Sequence, residues 1–585
     1  MNGAQPKNWL PLPRWGGIWS GARRRAGGAA SWGADVAVGA GLFGLLYIVV
    51  VLATAGPGRA PHAAITLRFS ALPLYAVYSL MRMAAAYVLS LSFAIGYGYM
   101  AAYNRRAERI MVPILDILQS IPILSFLPPV VLALAGVFPR SGFGVELASV
   151  LLVFTSQAWN MAFSFYNSML TVPRELREVG RMYNLSPWQR FRQLELPFAT
   201  VGLVWNSMMS WAGGWFFLMA AEMFTLGSRS FQLPGLGSYL QQAANRGDIR
   251  GVVGGLATLV LLIAGLDQLL WRPLIAWADK FKVELVGNQS PPRSAVLIVL
   301  RRSRLVDWVT GRFLAPMVER ADRRLSRTPE PAAGPARAIG RRMVGYLLGG
   351  LVLAVVAVAM WHAFAALAAT PHAQLEALPA AALLTILRVA AALLLSCLWT
   401  IPLGVFIGMN RVWANRLQPV VQILASIPAT ALFPIVLLWL GTRLAWGSIL
   451  LMLLGVQWYV LFNVIAGAMS IPEDLKEATA LFGLGRLERW RTLIIPGIFP
   501  FLITGLVTAS GGAWNAAVVA EYVQFGGHTV STLGLGAEIA RASQHQQYGL
   551  LLAATLTLSL VVVLVNRLFW RRLYRVAETR YSASS

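Results

Sequence analysis

Pro472-Glu473-Asp474-Leu475-Lys476-Glu477-Ala478-Thr479-Ala480-Leu481-Phe482-Gly483 opens a charged segment that closes at Pro496, and Pro173-Arg174-Glu175-Leu176-Arg177-Glu178-Val179-Gly180-Arg181-Met182-Tyr183-Asn184 opens one that closes at Pro197. Glu178 precedes Pro197 by 19 residues, as Glu477 precedes Pro496, and each segment lies between long apolar stretches. The chain is built twice. An offset of 299 also relates Trp159 to Trp458, Gly213 to Gly512, Trp215 to Trp514, Glu222 to Glu521, and Gly235-Leu236-Gly237 to Gly534-Leu535-Gly536. Nearer the start of each half the offset is 306, relating Arg82 to Arg388, Asn104-Arg105 to Asn410-Arg411, Pro113 to Pro419, Ser120-Ile121-Pro122 to Ser426-Ile427-Pro428, and Pro128 to Pro434. A period this long is no solenoid repeat; with apolar runs it marks a duplicated membrane domain.

Of 585 residues, 57% are hydrophobic and only 12% charged, too few to solvate a soluble multidomain surface. Apolar stretches able to cross a hydrocarbon core are read at 34–56, 71–101, 112–138, 146–170, 198–226 and 250–272, then at 343–368, 378–409, 419–441, 446–469, 497–522 and 548–570. The expected fold is all-α and polytopic, with about 12 transmembrane helices in two repeats of six. An even number of spans per repeat makes the repeats parallel, related by a pseudo-twofold axis along the membrane normal. The expected organisation is a cytoplasmic N-terminal tail (1–33), a first repeat (34–279, loop 173–197), a basic linker (280–342), a second repeat (343–573, loop 472–496) and a cytoplasmic C-terminal tail (574–585).

The net charge of +25 raises the question of nucleic acid, and its distribution answers it. Most Lys and Arg fall on one side of the spans, which the positive-inside rule makes cytoplasmic, and a basic face beside anionic lipid accounts for them without nucleic acid. Within the linker, Ala295 to Arg327 mixes apolar residues with arginines and is read as a helix lying on the inner membrane surface. The first span is read as a retained helix. The single cysteine, Cys397, permits no disulfide within the chain, and His62, His362, His372, His528 and His545 have no metal-ligand spacing.

Each charged segment reads as a short helix opened by Pro with acids near its N-terminus. A turn follows at Asn184 or Gly483, residue types that tolerate positive φ. A second amphipathic piece then leads to the Pro that opens the next membrane helix. Two short helices at the membrane surface make a handle by which a partner could move the bundle. This pattern, with Glu477-Ala478-Thr479 and Gly483 close to Glu-Ala-x-x-x-x-Gly, resembles the coupling loop of permease subunits of binding-protein-dependent ABC importers (the type I, methionine- and molybdate-permease-like fold). The first copy departs: Val179 and Gly180 stand where the family has alanines, and Asn184 replaces the glycine. The Ser-Ile-Pro, Ala-Glu and Gly-Leu-Gly landmarks resemble the nitrate, taurine, sulfonate and bicarbonate branch. The resemblance implies that Glu178, Val179, Gly180, Asn184, Glu477, Ala478, Thr479 and Gly483 contact two separate ATP-binding cassette subunits. It implies further that an extracytoplasmic binding protein delivers the solute, and that the chain sits in a bacterial inner membrane with both termini cytoplasmic. No Gly-x-x-x-x-Gly-Lys-Ser/Thr occurs, so ATP and Mg are expected on a partner, the chain is expected to be no enzyme, and no cofactor or metal is expected on it.

Ionisable groups inside a bilayer are costly and mark pathways or buried partners. Arg82 and Arg388 are read as struts paired with Glu222 and Glu521, as positive potential at an anion entrance, or as side chains snorkelling to the outer interface. Gln157, Asn160, Gln457 and Asn463 are pathway candidates, equally explained by interhelical packing. Ser120 with Pro122 and Ser426 with Pro428 would break two helices and make a gate. The leading expectation is a fused double permease for a small anion of the nitrate, bicarbonate or sulfonate type. The alternatives are an ABC importer permease for ferric ion or another small solute, and an ion-coupled secondary transporter.

Overall fold

The structure is a computed structural model that describes residues 65–120, 122–126, 143–223, 225–226, 229–230, 233–281, 294–303, 315–326, 367–425, 427–440, 444–525, 528–545 and 547–581, with isolated helical positions between some of these. Span 34–56 and most of span 343–368 lie outside the described residues, as does Ser426.

The first repeat runs α1 (Leu72–Tyr103), α2 (Arg105–Ser120), α3 (Phe143–Thr171), α4 (Arg174–Met182), α5 (Leu196–Glu222), α6 (Leu236–Asn245), α7 (Ile249–Leu266) and α8 (Arg272–Ala278). The linker contributes α9 (Ala295–Arg302) and α10 (Ala315–Ser326). The second repeat follows as α11 (Ala377–Met409), α12 (Arg411–Ala425), α13 (Ala429–Leu440), α14 (Leu444–Met469), α15 (Glu473–Leu481), α16 (Ile495–Ala520), α17 (Leu535–Gln544), α18 (Tyr548–Val565) and α19 (Arg571–Tyr581). Among the described residues seven helical stretches are long and apolar enough to cross a membrane: Phe69–Tyr103, Phe143–Thr171, Ile249–Phe281, His372–Met409, Trp446–Met469, Arg486–Ala520 and Tyr548–Ala577. α5 is not among them; its Asn206, Ser207, Ser210, Gly213 and Gly214 lower its hydropathy relative to α16.

The structure departs from the span reading in three ways. Spans 112–138 and 419–441 are not continuous. α2 ends at Ser120, and a 3-10 turn occupies Ile123–Phe126; α12 ends at Ala425, and α13 begins only at Ala429. Pro122 and Pro428 at these breaks are both buried. Second, α5 and α16 end in two-stranded antiparallel hairpins, β1 (Thr225–Leu226) with β2 (Arg229–Ser230) and β3 (Tyr522–Phe525) with β4 (His528–Ser531). Gly526-Gly527 is the two-residue turn signal for the second hairpin. Third, Pro197 and Pro496 do not open new helices. A helical turn at Pro187–Arg190 passes through a π turn at Phe191–Glu195 into α5, and Arg486–Arg489 passes through a π turn at Trp490–Ile494 into α16. The Leu196 N–H bonds to Phe191 O and the Ile495 N–H to Trp490 O. Widening the turn to an i→i−5 bond carries the helix past the proline, which has no N–H and would crowd the carbonyl four residues back.

The described residues divide into two compact units, one made of those within 164–208 and 265–352, the other of those within 65–163, 209–264 and 353–585. In the first, the linker is not one interfacial helix. Among its described residues are two separate helices: Ser303 closes α9 with extended backbone, α9 packs on α8, and α10 packs on the Pro187–Arg190 turn. In the second, α14 packs along both α11 and α16. Gly404 and Gly408, one turn apart on α11, bring its backbone against α14, where an added Cβ would stand 2.7 Å from Val464 Cγ1 and 2.6 Å from Ile465 O. Small residues at such spacing let membrane helices approach closely.

The two repeats meet within this second unit through reciprocal contacts. The Leu124 N–H, freed by the break after α2, donates to Asn515 Oδ1 at 3.3 Å. Positions 430 and 216 correspond to 124 and 515 by the offsets of 306 and 299, and there Thr430 Oγ1 donates to Phe216 O at 3.1 Å. Contact i to j answered by j to i is what a twofold relation produces. Leu124, Ala148, Leu152, Ala220 and Ala221 share one apolar core with Val456, Val460, Ala513, Trp514 and Ala517.

Candidate functional site: paired loops and buried carboxylate clusters

In each loop the short helix is followed by a residue with positive φ. Asn184 has φ 49° and Gly483 has φ 62°, and among the described residues Asn184 is the only non-glycine in that region. In the first loop the turn is closed by the Leu185 N–H on Gly180 O at 3.0 Å, and in the second by the Leu484 N–H on Thr479 O at 3.2 Å. Glu178 and Glu477 are exposed on α4 and α15, and so is Val179. Ala478 and Thr479 are half-buried, with Thr479 Oγ1 turned back on Lys476 O at 2.9 Å. Gly180 is buried: a Cβ there would stand 3.0 Å from Leu194 Cδ1, so its lack of side chain seats α4 on the following helix. The residues before each positive-φ position escaped the sequence reading. Met182 is 80% exposed and Tyr183 61%; their counterparts Leu481 and Phe482 are 88% and 82% exposed. Two large apolar side chains at the tip of a charged loop, in both copies, form a surface suited to an apolar recess on a partner.

Arg190 Nε donates to the buried Glu195 at 2.8 Å across the π turn of the first loop. From the linker, Asp322 on α10 accepts from Trp188 Nε1 at 3.0 Å and from Arg192 Nη1. The second loop has Ile494, Leu487 and Arg491 at the positions of Glu195, Trp188 and Arg192. Arg489, the counterpart of Arg190, has a buried Nε without a hydrogen-bond partner among the described residues.

At the far end of α5, Glu222 is fully buried and its carboxylate is shared by three elements. Ser79 Oγ on α1 donates to its two oxygens at 2.7 and 3.0 Å, Arg82 Nη1 to Oε1 at 2.8 Å, and the Gly237 N–H at the start of α6 to Oε2 at 2.8 Å. Ser79 Oγ also accepts from the Leu236 N–H at 3.0 Å. The second repeat rebuilds the cluster. Thr385 Oγ1 donates to Glu521 at 2.9 and 3.2 Å and accepts from the Leu535 N–H at 2.9 Å; Arg388 Nη1 donates to Oε1 at 2.9 Å, and the Gly536 N–H to Oε2 at 2.9 Å. Arg82 Nη1 and Arg388 Nη1 each also donate to a backbone carbonyl, of Pro234 and Leu533, at 2.8 Å. A buried carboxylate is tolerable only when its lone pairs are filled in this way. The Gly-Leu-Gly landmark now has a reason: a Cβ on Gly235 or Gly534 would overlap the Glu222 or Glu521 carboxylate. Of the readings open for Arg82 and Arg388, the geometry is that of the strut.

Glu146, which the sequence reading did not single out, gives Arg82 a second carboxylate: its Oε2 accepts from Nε at 2.6 Å and its Oε1 from Nη2 at 2.7 Å. The other pathway candidates are not drawn together. Gln157 is fully buried beside Met83, its Nε2 3.1 Å from the sulfur and its Oε1 without a partner among the described residues. Asn160 is exposed, Gln457 is buried, and Asn463 Nδ2 bonds its own helix at Tyr459 O. Ser120 is the last residue of α2 and Pro122 follows it. Among the described residues there is no cluster of His, Cys, Asp and Glu able to hold a metal ion.

Duplicated, all-α and with several membrane-length helices, the fold defines a polytopic membrane protein of two like repeats. Residues 94–269 and 400–577 each match the sequence profile of the binding-protein-dependent transport system inner membrane component, and the chain belongs to that family. It is similar to the nitrate import permease protein NrtB of Leptolyngbya laminosa, 28% identical over 181 residues that cover 31% of this chain and 62% of that protein. It is also similar to the taurine transport system permease protein TauC of Escherichia coli (strain K12), 28% identical with the same coverage. The bicarbonate transport system permease protein CmpB of Synechococcus elongatus is 26% identical over 31% of this chain and 63% of its own length. Each match thus spans less than two thirds of the relative. The chain is a multi-pass inner-membrane component of a binding-protein-dependent transport system.

Proposed function

We propose that this chain supplies both membrane halves of an ATP-driven importer of a small anion of the nitrate, bicarbonate or sulfonate type. Two copies of a separate ATPase, which bind ATP and Mg, work the loops at 173–197 and 472–496, and an extracytoplasmic binding protein delivers the solute. The observation that carries the reading is the loop pair: a short helix, two large exposed apolar residues and a positive-φ turn, in each family-matched repeat. In the first loop Glu178, Val179, Gly180 and Asn184 belong to the docking segment, and in the second Glu477, Ala478, Thr479 and Gly483. Both loops and both termini are cytoplasmic in this reading, and hydrolysis belongs to the partner. The anion class rests on the names of the relatives, which include nitrate, taurine and bicarbonate permeases. The polar breaks at Pro122 and Pro428 are the gate.

The test is gentle extraction followed by transport in vesicles. An ATPase subunit is expected to co-purify, and uptake should follow internal ATP. Gly483→Pro, which cannot adopt the φ of 62° found there, should lower transport at least tenfold while ATP hydrolysis persists. Uptake driven by an ion gradient, with no ATPase bound, would overturn the reading.

A further inference from the structure

The first repeat shows what the outer arginine of the second repeat is able to hold. Arg82 uses its guanidinium on two edges. Nη1 faces the buried cluster, and Nε with Nη2 takes the two oxygens of Glu146 side-on at 2.6 and 2.7 Å, the bidentate geometry in which guanidinium binds planar oxyanions most strongly. Arg388 reproduces the Nη1 contacts. Its Nε and Nη2 have no hydrogen-bond partner among the described residues.

The missing carboxylate follows from the sequence register. α3 and α14 align without a gap at the offset of 299, so Glu146 corresponds to Ala445, the second residue of α14. No Asp or Glu occurs anywhere from 389 to 472, so no neighbouring acid of that stretch can take its place. The charges differ accordingly: Arg82 with Glu146 and Glu222 carries a formal −1, whereas Arg388 with Glu521 is neutral. One bound monoanion would bring the second cluster to the charge of the first. The Arg388 side chain is 12% exposed and its Nε and Nη2 are not buried, so the unused edge is within reach of an anion.

We propose that the Nε/Nη2 edge of Arg388 binds an oxyanion side-on, in the manner of the Glu146 carboxylate on Arg82. The ligand class is a nitrate, bicarbonate, carboxylate, sulfonate or phosphate oxygen pair. The site is one-sided, because the first repeat fills its own edge. Identifying the bound anion with the transported one rests on the permease reading above; the site itself is tested by binding, so its failure leaves the ATP-coupling experiment untouched.

The test uses the full chain in phosphatidylcholine nanodiscs with sodium nitrate as probe and sodium chloride at equal ionic strength as control. Nitrate is expected to raise the thermal midpoint by about 3 °C or more over chloride. Ala445→Glu, which supplies the carboxylate internally, should abolish that rise, and Ala445→Gln should retain it. Should the midpoint respond instead to replacing phosphatidylcholine, whose phosphate is neutralised by its own choline, by phosphatidylglycerol, with Ala445→Glu abolishing the response, an anionic lipid headgroup supplies the oxyanion. If Ala445→Glu does not fold, Glu146→Ala frees the equivalent edge of Arg82 and should enlarge the nitrate response. Equal responses of wild type and Ala445→Glu, or of wild type and Glu146→Ala, overturn the proposal.

Discussion

Three arginines of the first repeat are paired with acids that have no counterpart in the second. Arg82 has Glu146 as well as Glu222, Arg190 has Glu195, and Arg192 has Asp322 from the linker. At the positions of Glu146 and Glu195 the second repeat has Ala445 and Ile494, and among the described residues no linker acid pairs with Arg491. What the copies share is what the architecture requires: the Ser79 or Thr385 hydroxyl, the Arg–Glu pair, the two glycines and the positive-φ turn. Their differences include acids found in one copy alone, Glu146 and Glu195 in the first and Glu538 in the second. Two identical subunits could not diverge in this way. On a fused chain the first loop is braced by Asp322 and Glu195, while the second has Leu487 and Ile494 at the positions of Trp188 and Glu195.

The largest test of this contrast lies in the buried clusters. Glu521→Ala strips Arg388 of the one carboxylate it meets among the described residues and should cost about 3–5 kcal/mol, read as loss of thermal stability in detergent. Glu222→Ala should cost less, because Arg82 keeps both bonds to Glu146. Equal losses would break the comparison. Next in size, Gly534→Ala should cost about 1–3 kcal/mol by driving a methyl group into the Glu521 carboxylate. Gly235→Ala should match it, since the two repeats are alike there. Smallest, Asp322→Ala should cost about 1 kcal/mol by releasing Trp188 and Arg192. It should raise hydrogen exchange in 187–195 and leave 486–494 unchanged; a rise in both would mean that the linker braces both handles.

Much of the fold was legible because duplication samples the same plan twice. Apolar runs placed the long helices to within a few residues, and Gly483 beside Asn184 announced a turn at one position in both copies. Glu146 was hidden for the opposite reason: having no counterpart, it left no repeated signal. The exposed pair at 182–183 and 481–482 was hidden because apolar residues in an apolar chain carry no contrast; only their exposure sets them apart. Proline read as a helix start at 197 and 496 misled, since a π turn lets one helix run through.

Read in order, the residues already carry the doubling, the membrane class, the positions of the two charged loops and the four residues Arg82, Glu222, Arg388 and Glu521. Period, hydropathy and unusual charge are properties of the chain read in order, and need no partner to be seen. Which groups meet is settled by the packing of the folded chain: Glu146 on Arg82, Asp322 on Trp188, Asn515 on Leu124. A charge or backbone donor withdrawn from water must find its partner wherever helix packing delivers one, and that choice is made across space, 64 residues away in one case and 391 in another.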